Sequence, residues 1–316
     1  VRPEPAREVP AAFPIRLIAL DIDGTIVDDD LVLGPRTLAA VAAARERGVA
    51  VSLVTGRMTT SARRFARELG LTDPIVAYQG ALVRALPPPG ADPRLGRILR
   101  HRPLAVDAAR EVITWAAGVG LAPHVNHLEQ FIVQSDDPRA EDYSTFLGLR
   151  AGIVDDLRAW IRHPVSKVLA VSIDPIPESI LVDARRRFAG RAAVTISHPR
   201  FLEFLAPGVS KAVGVRHLAR RARVPLANVL AVGDQFNDLE MLAAVGHGAA
   251  MPGAPLPVRA AARYLAPPLA EEGVAGLIEA LVLASPEVAA RNAERLAAEH
   301  TARVGGGLGP PVGSAA

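Results

Sequence analysis

Leu17-Ile18-Ala19-Leu20-Asp21-Ile22-Asp23-Gly24-Thr25 is the stretch on which the reading of this chain turns. Leu17–Leu20 is a short continuous apolar run, the pattern of a strand covered on both faces. Two acids spaced i, i+2 follow at its C-terminal end, where like charges close together resist joint ionisation. Gly24 then permits a sharp turn and a close backbone approach. An Asp-Gly pair alone also ends strands as an Asx-turn. The full five-residue pattern, set directly after an apolar strand, points to a site of chemistry.

Outward from it, short apolar runs alternate with helical patterns. Val49–Val54, Ile75–Tyr78 and Val229–Val232 read as further buried strands, and Pro35–Arg47, Thr59–Leu69 and Ser210–Arg221 as helices between them. This rhythm predicts an α/β fold with a doubly wound parallel sheet. It breaks after Gly80, where Leu86–Pro93 forms a stiff, proline-rich connector. A separate α/β stretch follows: strands at 97–100, 131–134, 168–173 and 194–197, and helices at 104–117 and 177–188. A second proline-marked passage, Pro199–Pro207, leads back to the first pattern. Residues 15–84 and 199–282 are therefore assigned to a core, and 85–198 to an inserted α/β domain. Residues 1–14 are expected to be a disordered tail. Residues 283–316 are expected to form a C-terminal helix and a flexible tail, with Ser285-Pro286 as N-cap and N1.

Composition sets limits. The chain has 316 residues, half of them hydrophobic and 22% charged, which is enough to bury sizeable cores and suits two domains. Its net charge of +3 is too small for a nucleic-acid coat. The absence of cysteine removes disulfides, thiolate catalysis and Cys-ligated zinc. Met241–Val258, the longest uncharged stretch, is interrupted by six glycines and prolines and cannot be one membrane helix. The expectation is a cytoplasmic protein with a small-molecule partner.

Three further segments are candidates for chemistry. Thr55-Gly56-Arg57 offers a hydroxyl and a free backbone N–H at a strand end, an anion seat or an ordinary helix cap. Lys211, in Gly208-Val209-Ser210-Lys211, is one of two lysines in a chain that otherwise uses arginine. Its compact ammonium would act as a point charge, or it is an exposed first-turn residue with no role. Gly233-Asp234-Gln235-Phe236-Asn237-Asp238 again puts acids after an apolar strand, an oxygen-ligand set that suits Mg²⁺. Each segment falls at the C-terminal end of a predicted strand or at a nearby helix start, the edge where doubly wound sheets bind ligands.

In this order the four segments resemble the motifs of the haloacid dehalogenase superfamily of phosphohydrolases, specifically its Cof-type (subfamily IIB) members with a large inserted α/β cap. Asp-Ile-Asp-Gly-Thr is similar to the first motif, Thr55 to the second, Lys211 to the third and Gly-Asp-Gln-Phe-Asn-Asp to the fourth, over about Arg16 to Leu281. Two departures stand out: Gln79 and Gly253 replace asparagines of the family pattern, at Tyr78-Gln79-Gly80-Ala81 and Ala250-Met251-Pro252-Gly253-Ala254.

The resemblance implies a two-step phosphoryl transfer. Asp21 would be the nucleophile and form an aspartyl-phosphate. Asp23 would be the acid and then the base. Mg²⁺ would be held by Asp21, the Asp23 carbonyl and Asp234, with Asp238 behind them. Thr55, Gly56, Lys211 and Asn237 would hold the phosphoryl oxygens. Four ionised acids against Mg²⁺ and Lys211 leave the site negative, and protonating Asp23 relieves that repulsion. The inserted domain would select the ester, a sugar phosphate or a flavin-pathway or pyridoxal phosphate. His124, Asn126, His127, Glu129, His163 and Lys167 are candidates there, or ordinary loop residues. His124 and His127 lack the spacing of a zinc pair. A phosphosugar mutase, a non-catalytic phosphometabolite-binding protein and a receiver-type signalling domain compete with the hydrolase. Asp23 and the length of the insertion speak against the last.

Overall fold

β1 (Leu17–Leu20) is flanked in parallel by β2 (Ala50–Leu53) and by β12 (Val229–Gly233), and β13 (His247–Ala250) and β14 (Tyr264–Leu265) extend the sheet beyond β12. The structure is a computed structural model and describes residues 11–88, 91, 96–135, 137, 144 and 150–305. The uniform apolarity of β1 follows from its central place. Ile18 and Leu20 enter one core with α1 (Pro35–Glu46) and α2 (Thr59–Glu68), whereas Leu17 and Ala19 enter another with Val215, Leu218 and Met241. A strand covered on both faces has no position for a polar side chain until it ends. The parallel α/β core is as expected.

A single bridge, Val54 to Val76, continues this sheet into β3 (Ile75–Ala77). There it turns into an antiparallel ribbon with β4 (Leu82–Arg84) and β5 (Ile98–His101). The strand at 97–100, assigned to the insertion that begins at 85, thus pairs with this ribbon. A four-residue run beyond a proline connector carries no sign of its partner strand.

The second sheet has six strands in the order β10-β11-β9-β6-β7-β8, where β6 is Ala122–His127, β7 Gln130–Gln134, β8 Gly152–Val154, β9 Lys167–Val171, β10 Ala193–His198 and β11 Phe201–Leu205. β11 pairs antiparallel with both β10 and β9, so Phe201–Leu205 belongs to this sheet, although the sequence boundary at 198 placed it in the core half. The proline there marks a tight turn between β10 and β11. Pro123 lies in β6 opposite Ala170 of β9. Pairing of β6 with β7 begins only at Val125, so the missing N–H of Pro123 removes no ladder bond on that side. One face of the sheet packs on α3 (Val106–Gly118) and α5 (Glu178–Arg187), helices separated by the short α4 (Leu157–Trp160). The other face meets Met58, Ala77 and Tyr78 of the first half.

The N-terminal end of the chain also differs from expectation. Within the tail assigned to 1–14, residues 11–14 are docked: Ala12 N donates to Ala227 O at 2.9 Å, and Phe13 stacks edge-on against His247. Residues 1–10 and 306–316 lie outside the described residues. A C-terminal helix spans Pro286–Gly305, with Ser285 Oγ accepting from Val288 N at 3.4 Å as its cap. Ala289 and Ala293 are buried, and Ala293 packs into the core. Among the described residues no helix is long and apolar enough to cross a membrane.

His247 is fully buried, its Nε2 bonded to Ala12 O at 2.9 Å and its Nδ1 to Tyr264 Oη at 3.0 Å. Burial pushes its pKa from 6.5 down to about 4. Below pH 6.5 the unfolded chain takes up this proton first, so stability falls as pH drops toward 4, by about 3 kcal/mol in all. Denaturant midpoints across this range should fall more steeply for the natural chain than for His247→Gln. Equal slopes would overturn the assignment.

Candidate active site

The carboxyl ends of β1 and β12 lie side by side. Leu20 pairs in parallel register with Val232, and Asp21 N still donates to Val232 O at 3.0 Å. Asp21 and Asp234 therefore leave adjacent strands at one edge. The chain departs β1 toward β2 on one side and finds β12 on the other, which makes this edge the switch point of the sheet. Gly24 turns here with φ +72°, and a Cβ on it would sit 2.3 Å from Asp234 Oδ2. Only glycine meets both conditions.

Lys211 opens α6 (Lys211–Ala222), where the positive end of the helix dipole disfavours a cation by about 0.3–1 kcal/mol. Two buried carboxylates outweigh that. Lys211 Nζ lies 2.7 Å from Asp21 Oδ1 and 2.6 Å from Asp238 Oδ1. Burial alone lowers the Lys211 pKa, but these carboxylates turn the net shift upward, so the ammonium is a fixed charge. Asp238 Oδ2 accepts from the backbone N–H groups of Asp234 and Gln235, at 3.0 and 3.1 Å. Both oxygens of Asp238 are thus taken by protein donors, and the residue ties the 233–238 loop to Lys211.

Acidic oxygens of Asp21, Asp234 and Asp238 lie within 4.8 Å of one another. Burial raises the Asp21 pKa well above the carboxylate range; Lys211 opposes the shift, and Asp238, Asp234 and Asp23 add to it. Burial likewise raises Asp234 to about 7, with Asp238 next in weight. Asp234 Oδ1 is buried and has no hydrogen-bond partner. A cluster of hard oxygen donors short of positive charge, with one orphaned carboxylate oxygen, fits a small divalent cation such as Mg²⁺.

The other segments adjoin this cluster. Thr55 is buried, and its Oγ1 accepts from Arg57 N at 3.0 Å. Arg57 grips Asp23 with both arms: Nε to Oδ2 at 2.8 Å and Nη2 to Oδ1 at 2.5 Å. Such a two-point pair fixes the carboxylate plane. Asn237 Nδ2 donates to Gln79 Oε1 at 3.0 Å, and the Gly56 carbonyl accepts from Lys167 Nζ at 2.9 Å. All eight proposed core residues therefore come together from four distant segments.

The candidates on the inserted sheet divide. Lys167 reaches the site, and buried Asn126 lies beside it in register, its Nδ2 3.6 Å from Met58 Sδ. His124 pairs with Asp137, Glu129 pairs with Arg84, His127 stands 6.1 Å from the His101 ring, and His163 is exposed. Sequence reasoning gave no role to Arg57, Gln79 or Glu203. The signal for Glu203 was present: it is the one acid inside an otherwise apolar strand, Phe201-Leu202-Glu203-Phe204-Leu205, and it is 2% exposed. Gly253, the other departure, lies in an exposed turn after β13.

The haloacid dehalogenase-like hydrolase family model matches residues 18–278 of this chain. The chain is 32% identical over 240 residues to the HMP-PP phosphatase of Serratia proteamaculans (strain 568), covering 75% of this chain and 83% of that protein. It is 28% identical over 246 residues to a 5-amino-6-(5-phospho-D-ribitylamino)uracil phosphatase of Bacillus subtilis (strain 168), covering 74% and 86%. A solved haloacid dehalogenase-like hydrolase from Bacteroides thetaiotaomicron superposes with a TM-score of 0.71 at 26% identity, over 84% of this chain and 99% of that one.

Proposed function

The chain belongs to the haloacid dehalogenase-like hydrolases and is a phosphatase, and we propose that it hydrolyses phosphomonoesters of a small metabolite through an aspartyl-phosphate on Asp21. The observation that carries this reading is the buried Asp21–Lys211–Asp238 array with Asp234 beside it at the sheet edge. Relatives named an HMP-PP phosphatase and a 5-amino-6-(5-phospho-D-ribitylamino)uracil phosphatase support a small phosphorylated substrate.

An Asp21 carboxylate oxygen bonds to phosphorus as the ester oxygen leaves, and Asp23 hands its proton to that oxygen. Water then attacks the phosphoryl group on Asp21, and Asp23 takes back a proton, which restores the free carboxylate and releases phosphate. Arg57 bonds both oxygens of the ionised Asp23 that takes the proton from water, and one of those two bonds is open while Asp23 carries the proton it hands to the leaving oxygen. Lys211 stays charged and holds Asp21, while the Thr55 hydroxyl, the Gly56 N–H and Asn237 receive the phosphoryl oxygens. Asp21, the Asp23 carbonyl and Asp234 would hold Mg²⁺, which when bound supplies the positive charge that lets a phosphate dianion enter an acidic site.

A panel of phosphomonoesters incubated with Mg²⁺ should release phosphate, and chelator should abolish the release. Release unaffected by chelator would remove the metal from the reading. No release from any ester, together with bisphosphate-activated isomerisation of a sugar phosphate, would replace the hydrolase with a mutase.

A further inference from the structure

A buried hydrogen-bonded path leaves one phosphate-side loop, crosses the six-stranded sheet and returns to the other. Asn237 Nδ2 donates to Gln79 Oε1 at 3.0 Å, and Gln79 Nε2 donates to Glu203 Oε1 at 3.1 Å. Lys167 Nζ donates to Glu203 Oε2 at 3.0 Å and to the Gly56 carbonyl at 2.9 Å. Gln79, Glu203 and Lys167 are almost wholly buried. Glu203 and Lys167 stand on the neighbouring strands β11 and β9. Gln79 is held in the left-handed region at φ +56°, next to Tyr78 at φ +51°. Two non-glycine residues in that region are unfavourable, and a structure keeps them where something else requires the geometry. A buried ion pair, in turn, is no better for stability than well-packed apolar residues. Fold stability alone gives little reason for either feature.

The two ends of the path give the reason. The peptide between Gly56 and Arg57 is pinned at both sides: its carbonyl accepts from Lys167, and its N–H donates to Thr55 Oγ1 at 3.0 Å. Because the Thr55 oxygen already accepts there, its own O–H is left to donate to another acceptor. Gly56 has no room for a side chain, since a Cβ would lie 2.3 Å from Gln79 Nε2. At the other end, Gln79 occupies one N–H of the Asn237 amide and leaves the second.

We propose that Lys167 and Glu203 are positioning residues for phosphate binding, Lys167 orienting the Thr55 hydroxyl through the Gly56–Arg57 peptide and Glu203 orienting Asn237 through Gln79. The inserted sheet then completes the phosphate seat as well as covering it. This rests on the phosphatase reading above.

Inorganic phosphate tests the idea, because it has no leaving group and reports only on the seat. The full chain in Mg²⁺ is titrated with phosphate by calorimetry, as the natural protein, Lys167→Met, Glu203→Leu and the Lys167→Met/Glu203→Leu double variant. All three variants should bind phosphate about tenfold more weakly or worse, the size of effect that losing a hydrogen bond to a charged group produces. The double variant leaves no unpaired buried charge, so its unfolding midpoint should return toward the natural value while phosphate affinity stays weak. A purely structural role cannot give that split. If the natural chain releases phosphate from an ester and the double variant binds phosphate within about twofold of it, the positioning role is wrong. It is equally wrong if KM for an ester rises while phosphate affinity holds, because the pair would then touch the leaving group. If the natural chain neither binds phosphate nor releases it from any ester, the phosphatase reading itself fails.

Discussion

Asp21→Asn is expected to lose phosphate release by at least about ten-thousand-fold, the scale on which removing a nucleophile acts, with no loss of folded structure. The substitution is nearly isosteric, and Lys211 keeps its second carboxylate, Asp238, at 2.6 Å. The sign of the stability change follows from the raised Asp21 pKa. A carboxyl whose folded pKa lies above its unfolded value stabilises the fold at low pH, and that contribution is lost as pH rises through the folded pKa. In chelator, above that pKa, the natural chain carries a buried charge that the variant lacks. The variant should therefore be at least as stable there, and the difference should shrink toward acid. Thermal unfolding across pH, set beside phosphate release from the best ester, measures both. Substantial remaining turnover in a folded Asp21→Asn protein would end the nucleophile assignment.

The largest effect on stability should come from Asp238→Ala. That carboxylate is fully buried and accepts from Lys211 Nζ, Asp234 N and Gln235 N. Removing it leaves two backbone N–H groups unpaired and the buried lysine with one partner, a loss of about 3–5 kcal/mol by the measure of broken buried ion pairs. Asp238→Asn keeps an acceptor and should lose less. Both variants should also lose activity, because Asp234 is carried by the loop that Asp238 ties down. An Asp238→Ala protein within about 1 kcal/mol of the natural chain in denaturant unfolding would show that the loop is held by something else.

Much of this was legible in one dimension. The apolar run Leu17–Leu20, followed by Asp21-Ile-Asp23-Gly-Thr, could only be a strand buried on both faces ending in a polar edge. The repeat of that pattern before Asp234 predicted a second strand of the same kind. Parallel register then brings the two ends together without further instruction. These features are local: burial on both faces dictates the residue types of a strand, and a turn dictates its glycine. The eight proposed site residues lie at such strand ends, in the loops that follow them or, for Lys211, at a helix start nearby.

What the sequence left open depends on contacts between distant segments. The strands Ile98–His101 and Phe201–Leu205 show apolar content but not their neighbours, so the sheets divide at other residues than the prolines suggested. Arg57 gains meaning only when Asp23, thirty-four positions earlier, falls under its guanidinium. Glu203, Gln79 and Lys167 become one path only because two sheets meet face to loop there. Residue type and spacing set which chain ends can carry charge. Which charges meet is decided by how the two sheets close on each other, and in a buried space that choice fixes what each polar atom must do.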